Sequence, residues 1–90
     1  MFENLEELIK TIRDRKKTNP DKSYTSKLLK DENLSASKVK EEISELIEAV
    51  EKNSNKIHES ADVLYHLLVY LEASDIKIED VMIELKKRQK

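Results

Sequence analysis

Apolar residues recur at intervals of three and four along most of this chain, which is the spacing of an amphipathic helix. No segment shows the alternation with a period of two that marks a half-buried strand. The predicted fold class is all-α, with four principal helices in one domain over residues 1–90. The pattern predicts a helix over residues 2–16, a short helical segment capped by Ser23 or Thr25, a helix from about Ser37 to Lys52, another from about Lys56 to Ala73, and a last helix that carries Ile78, Val81, Met82 and Leu85.

The two central helices differ in how far their apolar residues extend around the circumference. On the helix from Ser37 these residues keep to one side, which is typical of a half-exposed helix. On the helix from Lys56 they cover nearly the whole surface, and a helix that is apolar all round is normally buried. Three other helices in so short a chain cannot surround it completely. We therefore expect a homo-oligomer, most simply a dimer, to complete the core of the helical bundle.

Composition narrows the range of functions. The chain of 90 residues has 17 Lys and Arg, 19 Asp and Glu, and no Gly or Cys. A phosphate-binding glycine loop and a dinucleotide-binding fingerprint are improbable without glycine, and the lack of cysteine excludes disulfides, Cys-ligated zinc and thiol catalysis. Near-balanced charge disfavours a nucleic-acid partner. Because no apolar run reaches the roughly 20 residues of a membrane span and no signal peptide is evident, we expect a cytoplasmic protein without a membrane partner.

Glu59, Asp62 and His66 interrupt the apolar helix within a stripe about 60° wide. Two carboxylates on a buried helix repel each other and resist desolvation, so they need a cation. The preceding helix offers further acids instead of basic partners. If the two helices pack antiparallel, an acidic pair from each faces the other, and the four carboxylates form an oxygen site suited to Mg²⁺ or Mn²⁺. The pairs are Glu42 with Glu45 and Glu59 with Asp62.

Each of these features also has a purely structural interpretation. Acids in the helix from Ser37 commonly form a solvated face with partners four residues away. His66 is typical of a hydrogen-bonded core histidine, and Ser23 and Thr25 are explained by helix capping. For Glu59 and Asp62 the structural alternative requires a buried ion pair with Lys or Arg.

Motifs along nearly the whole chain resemble those of a known family. Glu42-x-x-Glu45, a gap of 13 residues and then Glu59-x-x-Asp62 are similar to the metal-binding motif of the all-α nucleoside triphosphate pyrophosphohydrolases. Within that superfamily, Ser23-Tyr24-Thr25 before the motif and Tyr65-His66-Leu67-Leu68-Val69 after it resemble the phosphoribosyl-ATP pyrophosphohydrolase family. The chain departs from the family pattern at Asp31 and Lys40, where glycine is usual.

The resemblance implies hydrolysis of phosphoribosyl-ATP to phosphoribosyl-AMP and pyrophosphate, the second step of histidine biosynthesis. It assigns the ligands of Mg²⁺, with Mn²⁺ as the alternative, to Glu42, Glu45, Glu59 and Asp62. Glu41 is the candidate base that deprotonates the attacking water. The candidate substrate-binding residues supply cations, hydroxyls and an imidazole: Arg15, Ser23, Tyr24, Thr25, Lys27, Lys38, His66 and Arg88.

Two other functions fit the same pattern. A house-cleaning all-α nucleoside triphosphate pyrophosphohydrolase, acting on dUTP or modified nucleotides, shares the four carboxylates but lacks the Ser-Tyr-Thr segment. A non-enzymatic helical interaction module uses the acids in a solvated or salt-bridged network and binds no Mg²⁺ specifically. Pyrophosphate release from phosphoribosyl-ATP, with and without Mg²⁺, distinguishes the three.

Overall fold

The computed structural model describes residues 1–89 as five α-helices and one 3₁₀ turn. None of these residues lies in a strand, so the prediction of an all-α fold with four principal helices is confirmed, and α2 is the short fifth helix. Within the same residues, every helix is too short or too polar to cross a membrane. The elements are α1 (Glu3–Arg15), the 3₁₀ turn (Pro20–Lys22), α2 (Tyr24–Leu29), α3 (Glu32–Lys52), α4 (Lys56–Ala73) and α5 (Ile78–Lys87).

The start of α3 was predicted wrongly. The helix begins at Glu32 and not at about Ser37. Asp31 is its N-cap, because the carboxylate accepts the backbone N–H of Leu34 at 3.0 Å. A run of Asp, Glu and Asn predicts a helix break because such side chains compete for backbone hydrogen bonds. Here the break is only two residues, Lys30 and Asp31, and the aspartate caps the next helix.

The hydrophobic core lies where α1, α2 and α4 meet. Ser26 and Lys30 fasten α2 to the end of α1: the Ser26 hydroxyl donates to the carbonyl of Thr18, and the Lys30 ammonium donates to the carbonyls of Thr18 at 2.9 Å and Lys16 at 3.3 Å. These bonds satisfy carbonyls that follow the last turn of α1. As a result α2 has a fixed place against α4. The buried core residues are Ile12, Leu28, Leu68 and Val69.

One chain covers only part of the apolar surface of α4. Leu68 and Val69 are buried, whereas Leu64 is 52% exposed and Leu67 is 36% exposed. Apolar side chains on α3 and α5 are exposed to a similar degree: Ile43, Ile47, Val50, Met82, Ile83 and Leu85. The amphipathic pattern therefore leaves apolar faces without a partner in the single chain, and the homo-oligomer stays a prediction.

A group of paired charges joins α1, α4 and α5. The Arg13 guanidinium donates two hydrogen bonds to the Glu79 carboxylate, at 2.6 and 2.9 Å, and its Nε lies 3.6 Å from Glu72 Oε2. Lys16 Nζ lies 2.7 Å from Glu72 Oε1. The bonds from Arg13 lower the pKa of Glu79 to about 2. We call these four residues the paired cluster; in it each carboxylate has a cation, and the pairs fasten α5 to the rest of the molecule.

Candidate metal centre

The site lies between α3 and α4, which are joined by the short connection Asn53–Asn55. Asn53 and Asn55 have φ values of 54° and 56°, in the left-handed region that asparagine tolerates better than most residues. The N–H of Ser54 donates to the carbonyl of Ala49 at 3.0 Å, which closes the end of α3. So tight a connection sends α4 back along α3, and the acidic turns of the two helices come together.

Four carboxylates gather where α3 and α4 pack. One oxygen from each of Glu42, Glu45 and Glu59 lies within 4.8 Å of the others. Asp62, one turn beyond Glu59, is close enough for its charge to act on both Glu42 and Glu59. We call these four residues the acidic cluster. The structure thus brings the two predicted acidic pairs together; that they bind a metal stays a prediction.

No Lys or Arg in residues 1–89 forms an ion pair with the acidic cluster. Burial raises the pKa of Glu42, and the charge of Glu45 raises it further. Burial, followed by the charges of Glu45 and Asp62, also raises the pKa of Glu59. The Oε2 atoms of Glu42 and Glu59 are buried without a hydrogen-bond partner in the described chain. Since such atoms are costly to bury, this donor set fits a hard divalent cation such as Mg²⁺ or Mn²⁺.

His58 is a candidate functional residue that the sequence analysis missed. Its Nε2 lies 3.4 Å from Asp62 Oδ2. One ring nitrogen of His58 and one carboxylate oxygen from each of Glu59 and Asp62 lie within 4.8 Å of one another. The spacing of four residues between His58 and Asp62 is the sequence signal that would have found it. That signal was overlooked because His58 lies in the polar first turn of α4, outside the apolar stretch.

His66 lies one turn after Asp62 and is buried. Its Nδ1 lies 3.0 Å from the backbone carbonyl of Asp62; a carbonyl only accepts, so this nitrogen carries a proton. In the neutral imidazole Nε2 is then an acceptor, and the Tyr24 hydroxyl donates to it at 3.3 Å. Burial raises the pKa of Tyr24. Both ring nitrogens thus have partners inside the protein, and substrate binding by His66 stays a prediction.

The hydroxyls of Ser23 and Thr25 also have partners inside the protein. Ser23 Oγ accepts the N–H of Ser26 at 3.2 Å, so of the two predicted caps Ser23 is the one that caps α2. Thr25 Oγ1 hydrogen-bonds to the hydroxyl of Tyr65 on α4. Together with the bond from Tyr24, this contact ties the start of α2 to α4 beside the acidic cluster.

Lys38 and Glu41 lie on α3 just before Glu42. The Lys38 ammonium donates to Glu41 Oε2 at 3.1 Å, and this bond raises the pKa of Lys38. The charges of Lys38 and Glu41 also act on the hydroxyl of Tyr24. The structure therefore brings a predicted phosphate contact, a predicted base and a predicted hydroxyl to one edge of the acidic cluster.

Three other predicted phosphate contacts lie on the surface. Arg15 ends α1, Lys27 lies on α2, and both are exposed. Arg88 follows α5, and its Nε lies 3.9 Å from Glu84 Oε2. Within residues 1–89 no hydrogen bond or ion pair joins these three side chains to the acidic cluster. Their contacts with a substrate stay predictions.

The fold is all-α, and in residues 1–89 carboxylates without a Lys or Arg partner face each other across two antiparallel helices. These features define a class of helical proteins with a candidate oxygen-ligand metal centre. A scan against protein families identifies the member of this class. Residues 5–89 match the family described as phosphoribosyl-ATP pyrophosphohydrolase. The chain belongs to this family, as its motifs indicated.

Curated relatives named phosphoribosyl-ATP pyrophosphatase are similar to this chain over nearly its full length. The relative from Halobacterium salinarum is 42% identical, and the alignment covers 99% of this chain and 100% of the relative. The relative from Allorhizobium ampelinum is 46% identical, and the alignment covers 93% of this chain and 84% of the relative. The relative from Ruegeria pomeroyi is 48% identical, and the alignment covers 94% of this chain and 84% of the relative. No solved structure matches the chain significantly.

Proposed function

We propose that this chain hydrolyses phosphoribosyl-ATP to phosphoribosyl-AMP and pyrophosphate, the second step of histidine biosynthesis, as one cytoplasmic domain over residues 1–90. The observation that carries the proposal is the acidic cluster, which lacks a Lys or Arg partner in the described chain and belongs to a member of this family. A triphosphate is itself strongly anionic. An acidic site would therefore bind it only with divalent cations held by the carboxylates, which would offset the negative charge of the phosphates.

Glu42, Glu45, Glu59 and Asp62 are the proposed ligands of Mg²⁺, with Mn²⁺ as the alternative. When bound, the cation neutralises phosphate charge and polarises the phosphoryl oxygens. The unpartnered Oε2 atoms of Glu42 and Glu59 support this assignment, because they need a positive partner that residues 1–89 do not supply. Carboxylates on two packed helices also hold their oxygens in place before the substrate arrives.

Glu41 is the proposed base that accepts a proton from the attacking water. In the structure its carboxylate accepts a hydrogen bond from Lys38, the residue that we propose as the main phosphate contact. A phosphate that binds Lys38 replaces Glu41 as the anionic partner of that ammonium. The Glu41 carboxylate is then free to accept a proton, so Lys38 couples phosphate binding to the availability of the base.

The other proposed substrate contacts divide by their surroundings. Tyr24 is 50% exposed beside Lys38, which supports a contact with ribose or phosphate. The hydroxyls of Ser23 and Thr25 and the ring of His66 have partners within the protein, so contact with substrate requires them to share or exchange these hydrogen bonds. Exposed cations remain for the outer phosphates: Arg15, Lys27 and Arg88.

A homo-oligomer, most simply a dimer, is part of the proposal. Its support is the apolar surface that α3, α4 and α5 leave exposed in one chain, as at Ile47, Leu64 and Leu85. Adjacent helices with half-exposed apolar faces are typical of a surface that a second copy covers. Sedimentation at micromolar concentration tests this point, and a stable monomer would contradict it.

The decisive assay measures pyrophosphate release from phosphoribosyl-ATP, with and without Mg²⁺, against a panel that includes dUTP. We expect turnover of phosphoribosyl-ATP that requires Mg²⁺. Preferential hydrolysis of dUTP or a modified nucleotide would assign the chain to the house-cleaning enzymes instead. No hydrolysis, together with no Mg²⁺ binding by calorimetry, would leave the non-enzymatic interaction module.

The predicted contacts can be tested within the same assay. Lys38→Gln is expected to raise the KM for phosphoribosyl-ATP, because it removes a phosphate contact. Lys40→Gln, which removes an exposed ammonium two residues away on α3, is the matched control and should leave the KM within a few-fold of the original. An equal rise in both variants would indicate a loss of general positive charge and would contradict the specific role of Lys38.

A further inference from the structure

We propose that His58 is a further metal-binding residue of the acidic cluster, and that its imidazole nitrogen directs the site towards borderline cations such as Co²⁺ at the expense of Mg²⁺. This inference rests on the proposed metal site. It adds a nitrogen donor to a set of residues that otherwise offers only carboxylate oxygens. It therefore concerns which cation the site selects.

The geometry places His58 within reach of a shared cation. Its Nε2 is 3.4 Å from Asp62 Oδ2. Two neighbouring ligands of one cation, each bound at about 2.0–2.2 Å, lie about 3 Å apart, so this pair needs only a small adjustment. Together with Glu59, these residues each offer one ligand atom within 4.8 Å of the others. Because Glu59 also belongs to the group formed with Glu42 and Glu45, His58 extends the same centre.

A simple surface ion pair accounts less well for these contacts. The side chain of His58 is 73% exposed and that of Asp62 is 37% exposed, and such pairs contribute little to stability. The buried Oε2 of Glu59 also lacks a donor in the described chain. An imidazole that pairs only with Asp62 leaves the Glu59 carboxylate without a positive partner, whereas a cation held by all three residues supplies one.

The chemical consequence follows from the type of donor. Carboxylate, carbonyl and water oxygens suit Mg²⁺ and Mn²⁺, whereas imidazole suits the later first-row transition metals. A site of four carboxylates discriminates among these cations mainly by charge and size. Adding His58 lets the site bind Co²⁺ through a nitrogen bond that Mg²⁺ gains little from.

The test compares cation binding in the absence of substrate. Metal-free full-length protein and its His58→Gln variant are titrated with MgCl₂ and with CoCl₂ by calorimetry. We expect His58→Gln to weaken Co²⁺ binding by at least about tenfold and to change Mg²⁺ binding by less than about twofold. His58→Asp replaces the nitrogen with an oxygen donor and is expected to tighten Mg²⁺ binding. Circular dichroism checks that the exposed substitution leaves the helices intact.

A spectroscopic measurement identifies the nitrogen directly. Pulsed electron paramagnetic resonance of the Mn²⁺-loaded protein is expected to show coupling to ¹⁴N, and His58→Gln is expected to remove it. Coupling that persists in His58→Gln would assign the nitrogen to another residue and overturn the inference.

The calorimetric outcomes separate the two proposals. If the wild-type protein binds Mg²⁺ and His58→Gln keeps the same preference for Co²⁺, only the proposed role of His58 is overturned. Wild-type protein that binds neither cation would overturn the metal site as well.

Discussion

The paired cluster and the acidic cluster both hold carboxylates between helices, but their charges are arranged in opposite ways. In the paired cluster, Arg13 lowers the pKa of Glu79 to about 2 by donating two hydrogen bonds. In the acidic cluster, burial and neighbouring carboxylates raise the pKa of Glu42 and of Glu59. The first group is electrostatically complete in the folded chain and fastens helices. The second is incomplete, and this unmatched charge, more than the number of acids, distinguishes a candidate site from a structural contact.

The strongest test of this contrast removes one carboxylate from each cluster. Asp62→Asn is expected to lower Mg²⁺-dependent pyrophosphate release by at least about 100-fold, because it removes a proposed ligand. Glu79→Gln, which also removes one negative charge, is expected to retain activity within a few-fold. Circular dichroism should show the native helical content in both variants. Activity of Asp62→Asn within a few-fold of the original would contradict the ligand assignment.

Mg²⁺ should stabilise the native protein through the acidic cluster. At a Mg²⁺ concentration 100 times its dissociation constant, binding to the native state alone adds about 2.7 kcal/mol to the free energy of unfolding. Thermal denaturation with and without Mg²⁺ measures the effect. Glu59→Gln is expected to remove most of the stabilisation, and Glu79→Gln is the control that keeps it. A similar rise in melting temperature in all three proteins would place Mg²⁺ elsewhere.

Ser35 provides an uncharged counterpart to the unpartnered carboxylates. Its hydroxyl is fully buried and has no hydrogen-bond partner in the described residues. Ser35→Ala is expected to raise the free energy of unfolding by about 1 kcal/mol, because it removes a desolvated polar group that gains no bond. Urea denaturation measures the change, and the affinity for Mg²⁺ should be the same as in the original protein. A loss of stability would mean that the hydroxyl has a partner after all.

The two clusters should respond to pH in opposite directions when divalent cations are removed by EDTA. The pKa of Glu79 is about 2 against an ordinary 4.5, so its bonds stabilise the protein above pH 4.5 and are lost as the pH falls towards 2. The pKa of Glu59 is raised, so its ionised form destabilises the native state at neutral pH, and this penalty disappears as the pH falls through the raised pKa.

Melting temperatures of two variants across pH 2–7 test these signs. At pH 7, Glu79→Gln is expected to be less stable than the original protein, and Glu59→Gln more stable. The difference in melting temperature between Glu59→Gln and the original protein should vanish by about pH 4.5. The corresponding difference for Glu79→Gln should vanish only near pH 2. Differences of the same sign at pH 7 would contradict the contrast between the clusters.

Local spacing explains which parts of the molecule the sequence could predict. The two residues of each acidic pair lie one turn apart on the same helix, and the two helices are joined by the short connection Asn53–Asn55. Helical periodicity and this short connection were therefore enough to predict that the pairs lie together. Local preference misplaced the start of α3, because it could not show that Asp31 is a cap.

Contacts between distant parts of the chain could not be predicted from periodicity. The bond from Thr25 to Tyr65 joins residues 40 apart, and the bonds from Arg13 to Glu79 join residues 66 apart. Such contacts depend on how the helices pack, which helical spacing does not specify. For that reason the interior partners of the predicted substrate-binding hydroxyls became evident only in the structure.

Three residues in two turns of the described chain, which has no glycine, take left-handed backbone conformations: Asn53, Asn55 and Asp75 have φ values of 54°, 56° and 59°. A Cβ atom is disfavoured in this region, and glycine removes the clash. Each of these three positions is therefore a place where a single substitution by glycine relieves backbone strain without altering a carboxylate of either cluster. Glycine substitutions in these turns could therefore raise the melting temperature of the protein without changing the helices that carry the acidic cluster.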